Sequence, residues 1–246
     1  LIVTAGPEGR AIFALDCSTG EEVWKAEANS LGNVWGTPII VPGPEGRTDI
    51  VIGAPYEVWG LNAETGRLSW YCEAVPEDSY SSSVVLSEGL IYGISGRQGG
   101  SFAIRAGGTG EITETHTAWT GRDRNRYSTP VVVNGRLYHI SSNIVACLNA
   151  QTGEEIYRER LSGAPESSSR GFSRGGNYTS PVVVGDHLFY VSDQGETYVL
   201  KLGDQFEQVA VNRVTENSET FAATPAIDQG AILIRSDRAV YCIESK

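Results

Sequence analysis

The side chains best suited to chemistry are sparse and far apart in this sequence. Its four cysteines, Cys17, Cys72, Cys147 and Cys242, include no adjacent pair and no C-x-x-C. Neither haem attachment nor a local thiolate metal site is supported. Four separate buried thiols are expected instead, since a free cysteine is usually a small core residue. The three histidines, His116, His139 and His187, stand alone. His139 and His187 fall in strand-like runs ("YHI", "DHLFY") and read as strand surface or filler. No G-x-S-x-G nucleophile turn occurs. The glycine-rich "SGRQGGS" (residues 95–101) precedes no helix, so a phosphate cradle of the dinucleotide type is not expected. Nothing assembles a nucleophile, a base and an oxyanion site. What remains is recognition chemistry. Arg97, Arg122, Arg124, Arg126, Arg170 and Arg174 carry planar forks suited to carboxylates and phosphates. Trp35, Tyr80, Tyr127 and Tyr178 offer rings to a peptide, a glycan or a planar ligand.

The elements that position these residues follow from an internal repeat. "RYSTPVVVNGRLYHI" (126–140) has a near-copy in "NYTSPVVVGDHLFYV" (177–191). Aligned on the proline, "WGTPII", "YSSSVV", "YSTPVV", "YTSPVV" and "AATPAI" fall 45, 47, 51 and 44 residues apart. A second motif runs in phase: "ALDCSTGEEVW", "GLNAETGRLSW", "AIRAGGTGEIT" and "CLNAQTGEEIY", with its Thr-Gly pairs beginning at 19, 65, 109 and 152. Each period reads as strand, tight turn, strand, loop, strand, Thr-Gly turn, strand. No sustained helical period competes. Four short strands repeated at this spacing predict an all-β fold, a β-propeller of four-stranded antiparallel blades. Counting gives a partial blade over 1–30, blades over 31–75, 76–119, 120–162 and 163–215, and a partial blade over 216–246. That is one domain of about six blades and 22 strands, expected to belong to a seven- or eight-bladed ring. The chain opens on "LIVTAG", which reads as the middle of a strand, so a segment upstream is expected.

In the second motif, Asp16, Asn62 and Asn149 end the third strand, where a short polar side chain can hold the turn. Gly20, Gly66 and Gly153 supply the positive φ that the turn needs. Trp24, Trp70 and Tyr157 follow and are expected to cement blade to blade. The pattern A-x-D-x-x-T-G-x-x-x-W, complete over residues 14–24 and nearly so over 60–70, resembles the tryptophan-docking repeat of the pyrroloquinoline quinone (PQQ)-like propellers. Blade three departs, lacking the aspartate and any aromatic at the docking position. The texture is most similar to the BamB-like group of envelope proteins. That resemblance implies a periplasmic or envelope-associated bacterial protein, with a lipid anchor upstream as one arrangement. It implies nothing about catalysis, because the same repeat builds quinoprotein dehydrogenases. Those enzymes bring vicinal cysteines and often a haem segment, and neither is present here.

The totals narrow the partners. Thirty acidic residues against 19 basic give a net charge of -11, which argues against a duplex nucleic-acid binder. No apolar run approaches the roughly 18 residues of a membrane-spanning helix. In a propeller the inner strands begin on one rim, so the four aromatics and the arginine loops are expected there. The expected function is a non-catalytic scaffold that binds a protein or glycan at this rim, with no cofactor. A fragment of a PQQ- and calcium-dependent dehydrogenase, and a sensory or carbohydrate-binding domain of a larger protein, stand as alternatives.

Overall fold

The computed structural model describes residues 1–96, 98–163 and 178–244; Arg97, Arg170 and Arg174 lie outside them. The chain forms two compact units, residues 1–126 with 150–153, and residues 127–149 with 154–246.

The first unit holds three sheets. One contains β1 (Ile2–Ala5), β2 (Ala11–Leu15) and β3 (Glu22–Glu27). The second contains β4 (Ile39–Pro42), β5 (Thr48–Ala54), β6 (Glu57–Asn62) and β7 (Leu68–Cys72). The third contains β8 (Val85–Ser87), β9 (Leu90–Ile94) and β10 (Ser101–Arg105); after β11 (Gly110–Glu111) it is completed by β12 (Thr117–Gly121). The two-residue β11 leaves its own sheet and pairs in parallel with β7. The second unit repeats the pattern with β13 (Val131–Val133), β14 (Arg136–Ser141), β15 (Ile144–Asn149) and β16 (Glu155–Arg160). There follow β17 (Val182–Val184), β18 (His187–Val191), β19 (Glu196–Lys201) and β20 (Glu207–Arg213), then β21 (Ala226–Asp228), β22 (Ala231–Arg235) and β23 (Val240–Glu244). Among the described residues the six sheets thus hold 22 strands in sequence order, with β11 as an addition that the repeat does not reveal.

Local chemistry explains the punctuation. Glu88–Gly89, Asn134–Gly135 and Gln229–Gly230 all have positive φ at both positions, which matches the twist of a two-residue hairpin between the first two strands of a sheet. In the Thr-Gly turns, Asp16 Oδ1 accepts the amides of Ser18 and Thr19 at 2.8 and 2.9 Å, and Asn62 Oδ1 accepts those of Glu64 and Thr65. These amides hold the Asp16 carboxyl below its ordinary range. The apolar faces of neighbouring sheets are buried against each other within each unit. Ile12, Trp24, Ile50 and Ile52 join the first two sheets, and Val58, Trp70, Ile91 and Phe102 the second and third. Tyr138, Val145, Leu188 and Tyr198 fill the corresponding space in the second unit.

The residue before each proline has a task of its own. The amide of Thr37 donates to Ser83 Oγ, that of Thr129 to Ser180 Oγ, and that of Ser180 to Thr224 Oγ1, each at 2.9 Å. A hydroxyl recurs here because each inner strand reaches its neighbour within the unit through a side-chain oxygen. Ser180→Ala removes one such acceptor and is expected to cost about 1 kcal/mol, read as a lower urea midpoint, whereas Ser180→Thr keeps it.

This relay corrects the alignment in one repeat. Ser83 occupies the place of Thr37 and Thr129, so Ser81, not Tyr80, is equivalent to Trp35 and Tyr127. Without a proline to fix the phase, the repeat is displaced by one residue, and a one-residue shift sends a strand side chain to the other face.

The expectation of four buried thiols is also corrected. Cys72 and Cys147 are buried, but Cys17 and Cys242 are exposed. Cys17 follows Asp16 in a surface turn, and Cys242 lies on β23, the edge of a three-stranded sheet. Burial pushes the Cys147 thiol up to about 11.

Candidate partner-binding site

In the first unit, four chain segments converge at one end of the second and third sheets. They are the turn between β5 and β6, residues 73–76 after β7, the loop between β9 and β10, and residues 120–124 at and after the end of β12. Together they line a cavity of about 610 Å3. Tyr56, Glu57, Glu73 and Pro76 contribute from the second sheet, and Gly99, Gly100, Arg122 and Arg124 from the third.

Alternation along residues 122–125 aims the arginines. Asp123 and Asn125 turn toward the β9–β10 loop. Ser101 donates its hydroxyl to Asp123 Oδ2 at 2.6 Å, Gly100 N–H donates to Asp123 O, and Asn125 N–H donates to Ser95 O. Arg122 and Arg124, between and beside them, are exposed. The glycines of "SGRQGGS" act as seats for arginine stems. A Cβ at Gly99 would stand 2.9 Å from Arg124 Cγ, and one at Gly96 2.9 Å from Arg126 Cγ. Arg126 is half-buried on that seat and does not line the cavity.

Tyr56 stands at the mouth, 59% exposed and held at φ +66°. Its amide donates to Glu77 O, and its carbonyl accepts from Val75 N–H. A bulky side chain in the left-handed region is strained and persists where its surroundings enforce it. Glu57 accepts the Trp59 indole N–H, which fixes its carboxylate. Among the described residues, none of Glu57, Glu73, Arg122 and Arg124 makes an ion pair. Sequence reasoning found the two arginines through their loop but missed Tyr56, Glu57 and Glu73, which carry no motif.

The four aromatics do not form one set. Trp35 is 54% exposed, and its amide donates to Tyr80 O at 3.0 Å. Tyr80 is only 2% exposed, contrary to its expected place on the rim. Its ring lies 6.5 Å from that of Phe102 and fills the space left by Gly53, where a Cβ would come within 2.5 Å of it. Burial pushes its phenol up to about 12. In the second unit, Tyr127 and Tyr178 stack with centroids 4.4 Å apart at 24°, and Tyr178 is 40% exposed.

The docking residues reveal a substitution of one device for another. Trp24 Nε1 donates to Ala63 O at 2.9 Å, with its ring against Gly66. Trp70 does not reach a turn. It lies over Gly60, where a Cβ would stand 2.0 Å from its ring, and donates to Asp49 Oδ2 at 2.9 Å. Arg47 grips both oxygens of Asp49 and donates to Gly108 O at 2.7 Å, in the turn that departs from the motif. The third sheet does have a docking aromatic, correcting the expectation that it has none. Trp119 Nε1 donates to Ala150 O at 2.8 Å, and its ring lies against Gly153. In the second unit Asn149 N–H donates to Glu154 O, and the Tyr157 ring stands 6.0 Å from Phe206.

Among the described residues, no three histidine, cysteine, aspartate or glutamate side chains come together in a way that could hold a metal ion. No helix is long and apolar enough to cross a membrane.

The sequence profile of the family described as outer membrane protein assembly factor BamB matches residues 1–211. Among solved structures, the chain is similar to BamB from Moraxella catarrhalis at 14% identity and a TM-score of 0.68, over 98% of this chain and 68% of that one. It is similar to the quinohemoprotein alcohol dehydrogenase ADHIIG from Pseudomonas putida HK5 at 18% identity and a TM-score of 0.60. That match covers 97% of this chain but only 45% of the enzyme. The computationally designed protein Ika8 matches at 9% identity and a TM-score of 0.68, over 99% and 68% of the two chains. At these identities the likeness is one of fold, the β-propeller. A comparison with curated protein sequences found no match.

Proposed function

The chain belongs to the family of the outer membrane protein assembly factor BamB, and from that membership we propose that it is a non-catalytic PQQ-repeat propeller that holds a protein partner in a bacterial cell envelope. The observation that carries the partner-binding part is the cavity of the first unit, with Arg122 and Arg124 exposed at its wall and engaged in no ion pair among the described residues. Guanidinium groups aimed outward by a loop tied down at Asp123 and Asn125 present bidentate donors at low reorganisation cost. Their proposed role is to take carboxylates of the partner.

The test places a photo-reactive phenylalanine at Gln98, which lines the cavity, and irradiates cells that make the protein. A discrete protein adduct is expected, lost when Arg122 and Arg124 are both changed to Ser while Tm is unchanged. An adduct that survives the double substitution overturns the assignment of this rim. In the same preparation, PQQ with calcium is expected to change neither tryptophan fluorescence nor Tm. A saturable quench with a raised Tm would replace the scaffold reading by a quinoprotein one, since a ligand that binds only the native state stabilises it.

A further inference from the structure

β12 is the outer strand of its sheet, and its end lines the cavity. Ser95 N–H donates to Gly100 O, so Gly100 and Phe102 direct their carbonyls to β9, and the alternate residues Ser101 and Ala103 face β12. Their partners there are Gly121 and Trp119. The same phase continues beyond the strand, where Asp123 O accepts from Gly100 N–H and Asn125 N–H donates to Ser95 O. The residues between direct their main-chain groups to the opposite side. Thr120 therefore turns its N–H and C=O away from β10, and among the described residues no strand pairs with β12 on that side.

The side chains keep the same alternation. Thr120 pairs with Phe102, which packs with Trp70 and Val75 of the neighbouring sheet. Thr120, Arg122 and Arg124 thus project on the face turned to that sheet; all three are exposed and line the cavity. Glu57 holds its carboxylate on the Trp59 indole, and Glu73 alternates with Cys72 and Ala74, which pack toward the third sheet. Neither opposes the arginines, so the charge on this face is that of Arg122 and Arg124. Alternate side chains of an extended chain stand on one face roughly 7 Å apart. Two arginines at that spacing match two carboxylates at the same spacing in another extended chain.

We infer that this rim takes an extended acidic segment of a protein partner, with carboxylates at alternate positions on Arg122 and Arg124 and its main chain along the free edge at Thr120. This rests on the reading of the rim as partner-binding and specifies the segment that it holds. The planar forks of the arginines suit carboxylates, and the open edge supplies main-chain hydrogen bonds to an added strand.

The experiment uses two end-blocked, fluorescein-labelled isomers and fluorescence polarisation. Val-Thr-Asp-Thr-Asp-Thr-Val puts both carboxylates on one face of a strand; Val-Thr-Thr-Asp-Asp-Thr-Val puts them on opposite faces. The first is expected to bind saturably and the second about tenfold more weakly, through loss of one charge-assisted contact. Arg124→Ser should bring the isomers to equal, weaker binding. Thr120→Pro removes an N–H that β10 does not use and should weaken the first isomer, whereas Thr120→Ala should not. N-methylation of both aspartates in one peptide, or of the central threonine in another, should abolish binding in one case only, since only alternate residues face the neighbouring strand. Equal binding of the isomers, or a preference that survives Arg124→Ser, overturns the match of spacing. Binding unaffected by Thr120→Pro and by both methylations overturns the added strand. If the arginine-dependent adduct at Gln98 still forms in either case, the partner reading stands and only this segment is wrong; if the adduct is also absent, both fall.

Discussion

Asp49→Ala is expected to destabilise the first unit by about 3–5 kcal/mol, the usual cost of leaving one member of a buried charged pair alone. For a chain of this size that lowers Tm by on the order of 10 °C. The Asp49 side chain is fully buried and accepts from Arg47 Nε and Nη2 at 2.8 and 3.0 Å and from Trp70 Nε1 at 2.9 Å. Its removal leaves a buried indole N–H without its acceptor and a largely buried guanidinium without its counter-charge. Arg47 would then hold only Gly108 O, and the tie between the second sheet and the departing turn of the third would loosen. Asp49→Asn retains an acceptor for Trp70 and should fall between the two. Replacing the trio together, with Arg47→Met, Asp49→Leu and Trp70→Phe, should recover most of the loss, because apolar groups of similar volume carry no desolvation cost. The measurement is urea unfolding followed by tryptophan fluorescence. An Asp49→Ala protein within 1 kcal/mol of the unaltered one would show that the network is not holding the sheets.

That network marks a boundary of what the sequence discloses. The repeat and the Thr-Gly turns are legible because their chemistry is local: Asp16 and Asn62 bind amides two and three residues away. The sheets follow from the period. Tyr80 was misplaced because its repeat lacks the proline that marks phase elsewhere, and an alternating strand turns a shift of one into an opposite face. The rim arginines could be found, since they crowd one loop, although Arg97, Arg170 and Arg174 fall outside the described residues. Glu57 and Glu73 could not. Glu57 opens β6 and Glu73 follows β7, and they come to line the same cavity as Arg122 and Arg124 only because two sheets pack side by side. Asp49 likewise reads as one more polar residue in a strand, until a glycine opposite Trp70 lets the indole reach it.

Trp119→Ala is the second substitution with a large expected effect, about 3–5 kcal/mol for loss of a large buried aromatic. Register explains why this residue docks although it stands six positions beyond Thr113, where the motif would put an aromatic. Trp24 pairs across strands with Ala14, Trp70 with Gly60 and Tyr157 with Cys147. Trp119 pairs with Ala103, the same small first residue of the motif. The six extra residues are taken up by β11, which pairs with β7, and by the helical turn Thr113–His116 that follows it. Thr113 itself serves the neighbouring strand, its Oγ1 accepting Glu73 N–H at 2.9 Å. Adding Thr113→Trp to the Trp119→Ala protein should therefore rescue nothing, and the pair should be less stable than Trp119→Ala alone. Trp119→Phe, which keeps most of the buried area but leaves Ala150 O without the indole N–H, should cost about 1–3 kcal/mol. Thermal unfolding of the four proteins orders them. Full recovery with Thr113→Trp would mean that position in the motif, not cross-strand register with Ala103, determines which side chain docks.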